Sequence, residues 1–380
     1  LRLKKEVVVT SGKNPRDSEG EIAMLTADGC RARRQRFLDR LRPTHPVVLA
    51  DPIHLRYFAN FHVDGTSMSA DFGGLLVIRP DGSTLLFHDN KLPKTVELAH
   101  VDERRPLTWY TGQEPETSAR RLALRAALEA HGGRIHDCIC DPLAPTVIGL
   151  IAELRRRKDP DEIALLKTCM RAGDAGHAWG RTHIRPGLTE LEVYTGVANA
   201  VFASLGHWAV VYGDFTVSTG AKKRGGPPTS HRLQAGELFI LDYSVIVQGY
   251  RSDFTNTICV GGQPTAEQQK LMDLSRQALA AGEKELKAGV PCQQVYDAMR
   301  TAFGDMAEYF TTHGGHGLGL SHPEPPYIVR QSTETLVAGD VVTLEPGLYV
   351  DGVGGVRIEH NYLITDTGYE QLSHHSIALV

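Results

Sequence analysis

The sequence predicts an α/β (α+β) protein of two domains, an N-terminal α/β unit and a C-terminal unit whose two similar halves pack about a pseudo-two-fold axis. Three observations lead there. The chain has 380 residues, and at about 150 residues per domain that is room for two. Its first part alternates short β-like runs, turn signals and helical segments. Its second part repeats itself: Ile184-Arg185-Pro186-Gly187-Leu188 followed by Val193-Tyr194 returns as Leu286-Lys287-Ala288-Gly289-Val290 followed by Val295-Tyr296, every pair offset by 102 residues. Both copies open a predicted helix ahead of a strand-rich stretch, 237–260 in one half and 340–364 in the other. A site at the axis between such halves would draw on both.

Taken in order, residues 32–41 read as a helix and 47–50 as a strand running into the Asp51-Pro52 turn. Residues 75–78 and 84–87 form a hairpin across Arg79-Pro80-Asp81-Gly82-Ser83. A further helix is expected over 115–131, with acidic residues in its first turn, leucines at 122, 124 and 128, and a stop at Gly132-Gly133. Residues 134–140 read as a strand. The charged run Arg155-Arg156-Arg157-Lys158-Asp159-Pro160 then marks a boundary, so the expected domains are 1–155 and 156–380.

Composition narrows the function classes. With 41 Lys plus Arg against 45 Asp plus Glu the net charge is −4, which gives no electrostatic footprint for nucleic acid. Apolar runs break well short of the ~18 residues a membrane span needs, and residues 1–12 lack a long apolar core before a cleavage-like site. No membrane partner and no signal peptide are therefore expected. Six scattered cysteines are too few for a disulfide framework in a chain this long, and a reducing cytoplasm fits them best. Cys138-Ile139-Cys140 would place two thiols on one face of the 134–140 strand, either as buried small residues or as half of a metal site.

The chemistry begins with paired carboxylates. Residues 237–247 read as a strand, Gln248-Gly249 as a turn and 250–260 as the returning partner. A two-residue turn sets Asp242 opposite Thr255 and Asp253 opposite Ser244, so both aspartates leave the same face. A strand centre flanked by Phe239, Ile240, Leu241 and Val245 is a poor place for an uncompensated charge. A buried ion pair with Arg251 or Lys222 is one solution; a bound cation is the other. The second half repeats the pattern: Glu345 ends the strand 341–344, one residue past the repeat of Asp242, and Arg357 and Glu359 share one face of an alternating segment. Four carboxylates on one axis cannot stay ionised together without cations, so either several are protonated or metal ions sit among them. Oxygen ligands with one imidazole suit Mn, Fe, Co or Zn, and bridging carboxylates suit two ions ~3.5–4 Å apart. The imidazole candidate is His316, within the glycine-rich run from Thr312 to Pro326 that also holds His313 and His322. Alone, such a run reads equally well as a phosphate loop or a turn.

The ordered set Asp242, Asp253, His316 in Gly-His-Gly, Glu345 in Thr-Leu-Glu-Pro-Gly and Glu359 in Val-Arg-Ile-Glu resembles the "pita-bread" family of dinuclear metallopeptidases, which includes prolidase, aminopeptidase P and methionine aminopeptidase, with the metal-free creatinase. His54-Leu55-Arg56-Tyr57-Phe58-Ala59-Asn60-Phe61 is also similar to the N-terminal domain of the creatinase, prolidase and aminopeptidase P branch. The resemblance implies two divalent ions, manganese first and cobalt, zinc or iron as alternatives. Asp242 would hold one, His316 and Glu345 the other, and Asp253 and Glu359 would bridge both. It implies an Xaa-Pro dipeptidase or aminopeptidase using a metal-bridging hydroxide, with Glu345 as general base, acting on a short peptide, in a homodimer whose N-terminal domains reach the neighbouring pocket through 54–61 or 61–70. It also implies a substrate-contacting histidine at His231, whose other reading is a solvated loop residue. Arg357 would orient a carboxylate, and Thr255 would bond the bridging region.

Three departures bear on the substrate. The family's second histidine, seven residues after the metal histidine, is Pro323 here, with His322 one residue earlier as the candidate proton donor. His313 stands three rather than four residues before His316, and His360 and Asn256 replace residues common in peptidases. These keep open a creatinase-type hydrolase or lyase of a small non-peptide amide. A non-catalytic binding member of the fold is disfavoured by the retained ligand set.

Overall fold

The computed structural model describes residues 24–63, 73–114 and 119–380. The expectations placed on residues 1–12 and on 64–70 lie outside these described residues. Helix α1 (Ala27–Leu41) opens five residues before the expected start, because Thr26 caps it: its Oγ1 accepts from the Gly29 N–H at 3.0 Å. Arg33 and Arg34 hide this from an apolar pattern, since both are buried. Arg33 donates to the Tyr57 carbonyl and pairs with Asp161 at 2.9 Å, and Arg34 donates to the Phe58 carbonyl at 2.6 Å. Next come β1 (Val47–Leu49), α2 (Pro52–Ala59), β2 (Gly74–Ile78), β3 (Thr84–Asp89), α3 (Pro93–Glu97) and β4 (Glu103–Leu107), the strands ordered β1-β2-β3-β4 in one sheet. The β2–β3 hairpin forms as the sequence predicts, with Ile78 opposite Thr84.

Two expectations fail in this domain. Among the described residues of 115–131, a 3-10 turn (Arg120–Leu124) precedes a short helix α4 (Arg125–Ala130). Arg120 forks onto Asp89 at the end of β3, at 2.7 and 3.0 Å, and this ties the turn to the sheet. Residues 134–140 make turns rather than a strand. The open edge of β1 is satisfied by single residues instead: the Val48 N–H donates to His136 Nδ1 at 3.0 Å, the His136 N–H returns to the Val48 carbonyl at 2.8 Å, and the Asp137 carboxylate accepts from Ala50 and Asp51. Cys138 and Cys140 therefore sit exposed on a turn.

The rest of the chain has two parallel constructions. Helices α5 (Ala144–Arg156), α6 (Pro160–His183) and α7 (Glu190–Leu205) lead into β5 (Val210–Ser218), β6 (Leu238–Val247), β7 (Tyr250–Arg251) and β8 (Phe254–Cys259). Helices α8 (Ala266–Glu283) and α9 (Cys292–Ala302) lead into β9 (Gly315–Gly317), β10 (Glu324–Ile328), β11 (Val341–Leu344), the pair β12 (Gly347–Val350) and β13 (Gly354–Arg357), then β14 (His360–Ile364) and β15 (Tyr369–Gln371). The two repeated segments are the turns inside the α6–α7 and α8–α9 pairs. The expected division at 155/156 lies in the last turn of α5, just ahead of the Asp159 cap of α6.

In the first half β6 is central, with β5 on one side and β7 and β8 on the other; in the second the order is β10-β9-β11-β14-β15. Helix α6 lies so close to the first sheet that a Cβ on Gly173 would stand 2.1 Å from Phe254 Cζ. One apolar core joins the N-terminal domain to the first half through Phe37, Phe58, Leu165, Phe215 and Phe254, and a second fills the other half around Met272, Met299, Leu344 and Tyr362. Side chains stitch the halves: the Glu359 N–H donates to the Thr255 carbonyl at 2.9 Å, Thr257 Oγ1 exchanges hydrogen bonds with both backbone groups of Arg357, and Asn361 bonds both backbone groups of Asp253. Among the described residues no helix is long and apolar enough to cross a membrane.

Behind this seam three buried histidines pack together, His177 tilted against His375 at 4.3 Å and His375 edge-on to His360 at 4.6 Å between ring centres. Burial, reinforced by neighbouring histidines, pushes His375 down to about 4, His360 to about 3 and His177 well below its usual range. They are neutral when folded and bind protons once unfolded, so stability falls as pH drops through about 6.5, by about 1.4 kcal/mol per pH unit per histidine, until the folded values are reached. Urea unfolding of chelated protein between pH 7 and 4.5 should show this slope. His177→Gln, which keeps a donor for the Phe254 carbonyl, should flatten it; an unchanged slope would contradict the assignment.

Candidate metal centre

The Gln248-Gly249 turn has φ of 54° and 87°, the left-handed pair that a two-residue hairpin needs. It sets the register that places Asp242 opposite Thr255 and Ser244 Oγ 3.5 Å from Asp253 Oδ1. The second half delivers His316 from β9, Glu345 from the end of β11 and Glu359 from the link between β13 and β14. Beside His316, Gly315 has φ of 153° and any Cβ there would meet the Thr343 carbonyl at 2.0 Å, so only glycine lets β9 sit this close to β11. His316 Nδ1–H donates to the Gly317 carbonyl at 2.9 Å. That fixes the tautomer and leaves Nε2 facing Glu345 at 3.4 Å and Asp253 at 3.6 Å.

All five residues line one cavity of about 330 Å³, with His313, His322, Arg357, Tyr212 and Asp214. One donor atom each from Asp242, Asp253 and Glu359 lie within 4.8 Å of one another, as do those of His316, Glu345 and Glu359 and those of Asp253, His316 and His322. Glu359 is common to the first two groups. Its Oε2 accepts from Thr255 Oγ1 at 2.8 Å, while among the described residues Oε1 is buried without a hydrogen-bond partner. A buried carboxylate oxygen left bare among other acids fits a cation as its partner.

The electrostatics agree. Burial and the adjoining Asp253 and Asp214 push the Asp242 carboxyl up to about 7 in spite of Arg357. Burial and the surrounding carboxylates push Glu359 well above its usual range. Glu345 goes the other way: burial opposes its charge, but the hydrogen bond from His313 at 3.2 Å and the nearby His316 pull it down to about 2. Four carboxylates and one imidazole thus fit hard or borderline divalent cations, and without them the acids cannot all ionise.

Arg357 is the one Lys or Arg among the described residues of the wall, 2.7 Å from Asp242 Oδ2 and 2.6 Å from Asp214 Oδ2. Neither alternative partner weighed for Asp242 reaches it: Lys222 lies 4.0 Å from Asp351, and Arg251 lines a neighbouring cavity. His322 is brought in, its Nε2 2.6 Å from Asp253 Oδ2, and that contact raises the imidazole above its usual range. The shifted positions of His313 and His322 thus both arrive at the centre. His231 does not. It sits on the turn before β6 with Nε2 3.0 Å from both Glu237 oxygens, and it does not line the cavity. Asn256 and His360 also point elsewhere, to the Ala378 backbone and to Ser373 Oγ. The sequence reading missed Asp214 and Tyr212; Asp214 pairs directly with Asp242 across β5 and β6, and the signal was a lone acid in the middle of an otherwise apolar strand.

A carboxylate and histidine cluster between two repeated halves, behind an α/β domain, is the arrangement a divalent-metal centre needs, and comparison with known proteins gives the family. The chain belongs to metallopeptidase family M24, whose model matches residues 164–366, more than half of the sequence. A peptidase of Staphylococcus aureus (strain USA300), described as uncharacterized, is 33% identical over 236 residues, covering 59% of this chain and 64% of the relative; the match thus spans less than two thirds of that relative's length. Among solved structures the chain is similar to the prolidase from Pyrococcus horikoshii OT3 (TM-score 0.74, 21% identity, 92% of this chain and 99% of the other). It is also similar to the Xaa-Pro dipeptidase from Bacillus anthracis (0.75, 23%, 93% and 99%), and to the X-Pro aminopeptidase from Thermotoga maritima MSB8 (0.73, 19%, 91% and 99%). At these identities the structural likeness speaks for the pita-bread fold and its N-terminal domain.

Proposed function

We propose that this protein is a two-metal peptidase that removes an amino-terminal residue preceding proline from short peptides. The observation that carries the reading is the meeting of Asp242, Asp253, His316, Glu345 and Glu359 in one cavity, with Glu359 shared between two donor groups. Asp242, Asp253 and Glu359 would hold one ion and His316, Glu345, Asp253 and Glu359 the other. When bound, two such ions polarise a carbonyl and lower the pKa of water towards neutrality. Manganese and a homodimer belong to the same proposal, on the resemblance to the prolidase branch.

The chain's own residues then handle protons and orientation. Glu345 and His313, 3.2 Å apart, form a carboxylate–imidazole pair that accepts the proton of the attacking water. With Glu345 pulled down to about 2 and His313 raised by that same carboxylate against its burial, the imidazole is the better store. His322, whose imidazole the Asp253 contact at 2.6 Å raises above its usual range, is placed to donate to the leaving nitrogen or the oxyanion. Arg357 keeps Asp242 aimed into the cavity.

Hydrolysis of Xaa-Pro and Xaa-Pro-Xaa peptides by manganese-, cobalt- or zinc-loaded protein, against a chelated control, tests the reading; cleavage that ignores both metal and proline would sink it. His322→Ala is expected to lower kcat by about 10²-fold with little change in metal content, and an unchanged kcat would make His322 structural. The second reading, hydrolysis of a small non-peptide amide, keeps one supporting feature, the His322-Pro323 shift, because His360 and Asn256 lie outside the cavity wall. Turnover of such an amide with no peptide cleaved would favour it.

A further inference from the structure

A second cavity, of about 430 Å³, opens where α2 of the N-terminal domain meets the β6–β7 turn. Among the described residues its wall contains Arg56, Arg251, His62 and His207 but no aspartate or glutamate. Arg56 is 2% exposed, and among the described residues its Nε and Nη2 have no hydrogen-bond partner; Nη1 bonds Asn60, a neutral group. Arg251 Nε is likewise buried and unpartnered. Among the described residues no carboxylate forms an ion pair with either guanidinium. Burial pushes Arg56 down to about 10, so it remains charged at neutral pH with no counter-ion among the described residues. An unpaired buried guanidinium is costly, and an anion offering two oxygens is its natural complement. Gln248 apart, the rest of the wall, including Ile53, Val210, Ile246, Leu320 and Trp208, is apolar.

This cavity continues the metal cavity along the same sheet face. Val210 and Ile246, which line it, pair with each other two residues beyond Tyr212 and Ser244, which pair in the metal cavity; that is about 7 Å along the strands. Arg251 and Leu320 stand two residues before Asp253 and His322.

We infer that this cavity is a carboxylate site, in which Arg56 and Arg251 hold the carboxylate and the apolar wall holds the aliphatic group attached to it. Two sources share that chemistry: the C-terminus of a peptide extending from the metal cavity, and a separate organic acid. The first rests on the peptidase reading above; the binding measurement does not.

Trp208 lines the cavity and is 58% exposed, so its fluorescence reports occupancy. N-acetyl-leucine titrated into the metal-loaded protein should shift tryptophan emission saturably and N-acetyl-leucinamide should not, with the signal lost in Trp208→Phe. Arg251→Gln, and separately Arg56→Gln in case one variant folds poorly, should weaken the acid by about 10- to 100-fold. If the natural occupant is the substrate's C-terminus, Arg251→Gln also raises KM for free-acid peptides while leaving that for amidated ones unchanged, and N-acetyl-leucine competes with the peptide. If it is a separate acid, both KM values stay put and the fluorescence effect remains. No difference between acid and amide, or equal acid affinity in the wild type and both arginine variants, would overturn the proposal whether or not the protein cleaves peptides.

Discussion

Glu359→Gln removes turnover and one bound metal while leaving the chelated protein folded. Its carboxylate joins the Asp242–Asp253 group to the His316–Glu345 group, and among the described residues its Oε1 has no hydrogen-bond partner. Even outer partners of a metal centre are worth about 10- to 100-fold, so loss of the shared ligand should exceed about 10²-fold in kcat. The stability readout goes the other way. Without metal, Glu359 is crowded by Asp253, Glu345 and Asp242, so a neutral glutamine that still accepts from Thr255 removes repulsion. Chelated Glu359→Gln should melt no lower than chelated wild type. Activity of the mutant at wild-type level, or a collapse of its apo stability, would refute the shared-ligand role. Asp253→Asn should behave similarly in activity and additionally free His322, whose imidazole then falls back towards its ordinary range because the Asp253 contact is what raises it.

Arg357→Met should be the most damaging substitution for the metal-free fold. The guanidinium is mostly buried and lies within 2.7 Å of Asp242 and 2.6 Å of Asp214, so its removal strands two acids that are already crowded. Breaking a buried pair on one side costs about 3–5 kcal/mol, which urea denaturation of chelated protein would register. Bound cations take over part of the neutralisation, so the loss should shrink in metal-loaded protein. Adding Asp242→Asn should recover much of the apo loss, as coupled neighbours do in a double-mutant cycle. Purely additive effects would show that Arg357 acts through packing alone.

The features that were legible in the sequence are those fixed by short-range rules. The Gln248-Gly249 turn and the period-two alternation of the strands beside it were enough to set Asp242 and Asp253 on one face, and the offset repeat led from Asp242 to Glu345. Arg357 could be assigned a face but not a partner, because its reach to Asp242 and to Asp214 depends on how β13 packs against the first sheet. What failed depended on side chains standing in for backbone. β1 finds its edge partners in His136 and Asp137 rather than in a strand, and the turn at Arg120–Leu124 is held by the Arg120 fork to Asp89. No hydrophobic pattern carries such information. The two readings of His231 could not be separated for a related reason: a histidine just before a ligand strand looks the same in sequence whether it turns to the cavity or, as here, to Glu237. The second cavity was invisible in the sequence because Arg56 and Arg251 lie in different domains, and only the packing of α2 on the β6–β7 turn puts them in one wall.

The central claim is that two cations held by Asp242, Asp253, His316, Glu345 and Glu359 make this chain a peptidase. The most direct measurement is a titration of manganese into chelator-stripped protein, with bound metal and hydrolysis of an Xaa-Pro dipeptide followed in the same samples. Activity rising to a plateau at about two bound ions per chain, and absent under chelation, is the predicted result. Two ions bound with no peptide cleaved, or cleavage that persists when the metal is removed, would contradict it.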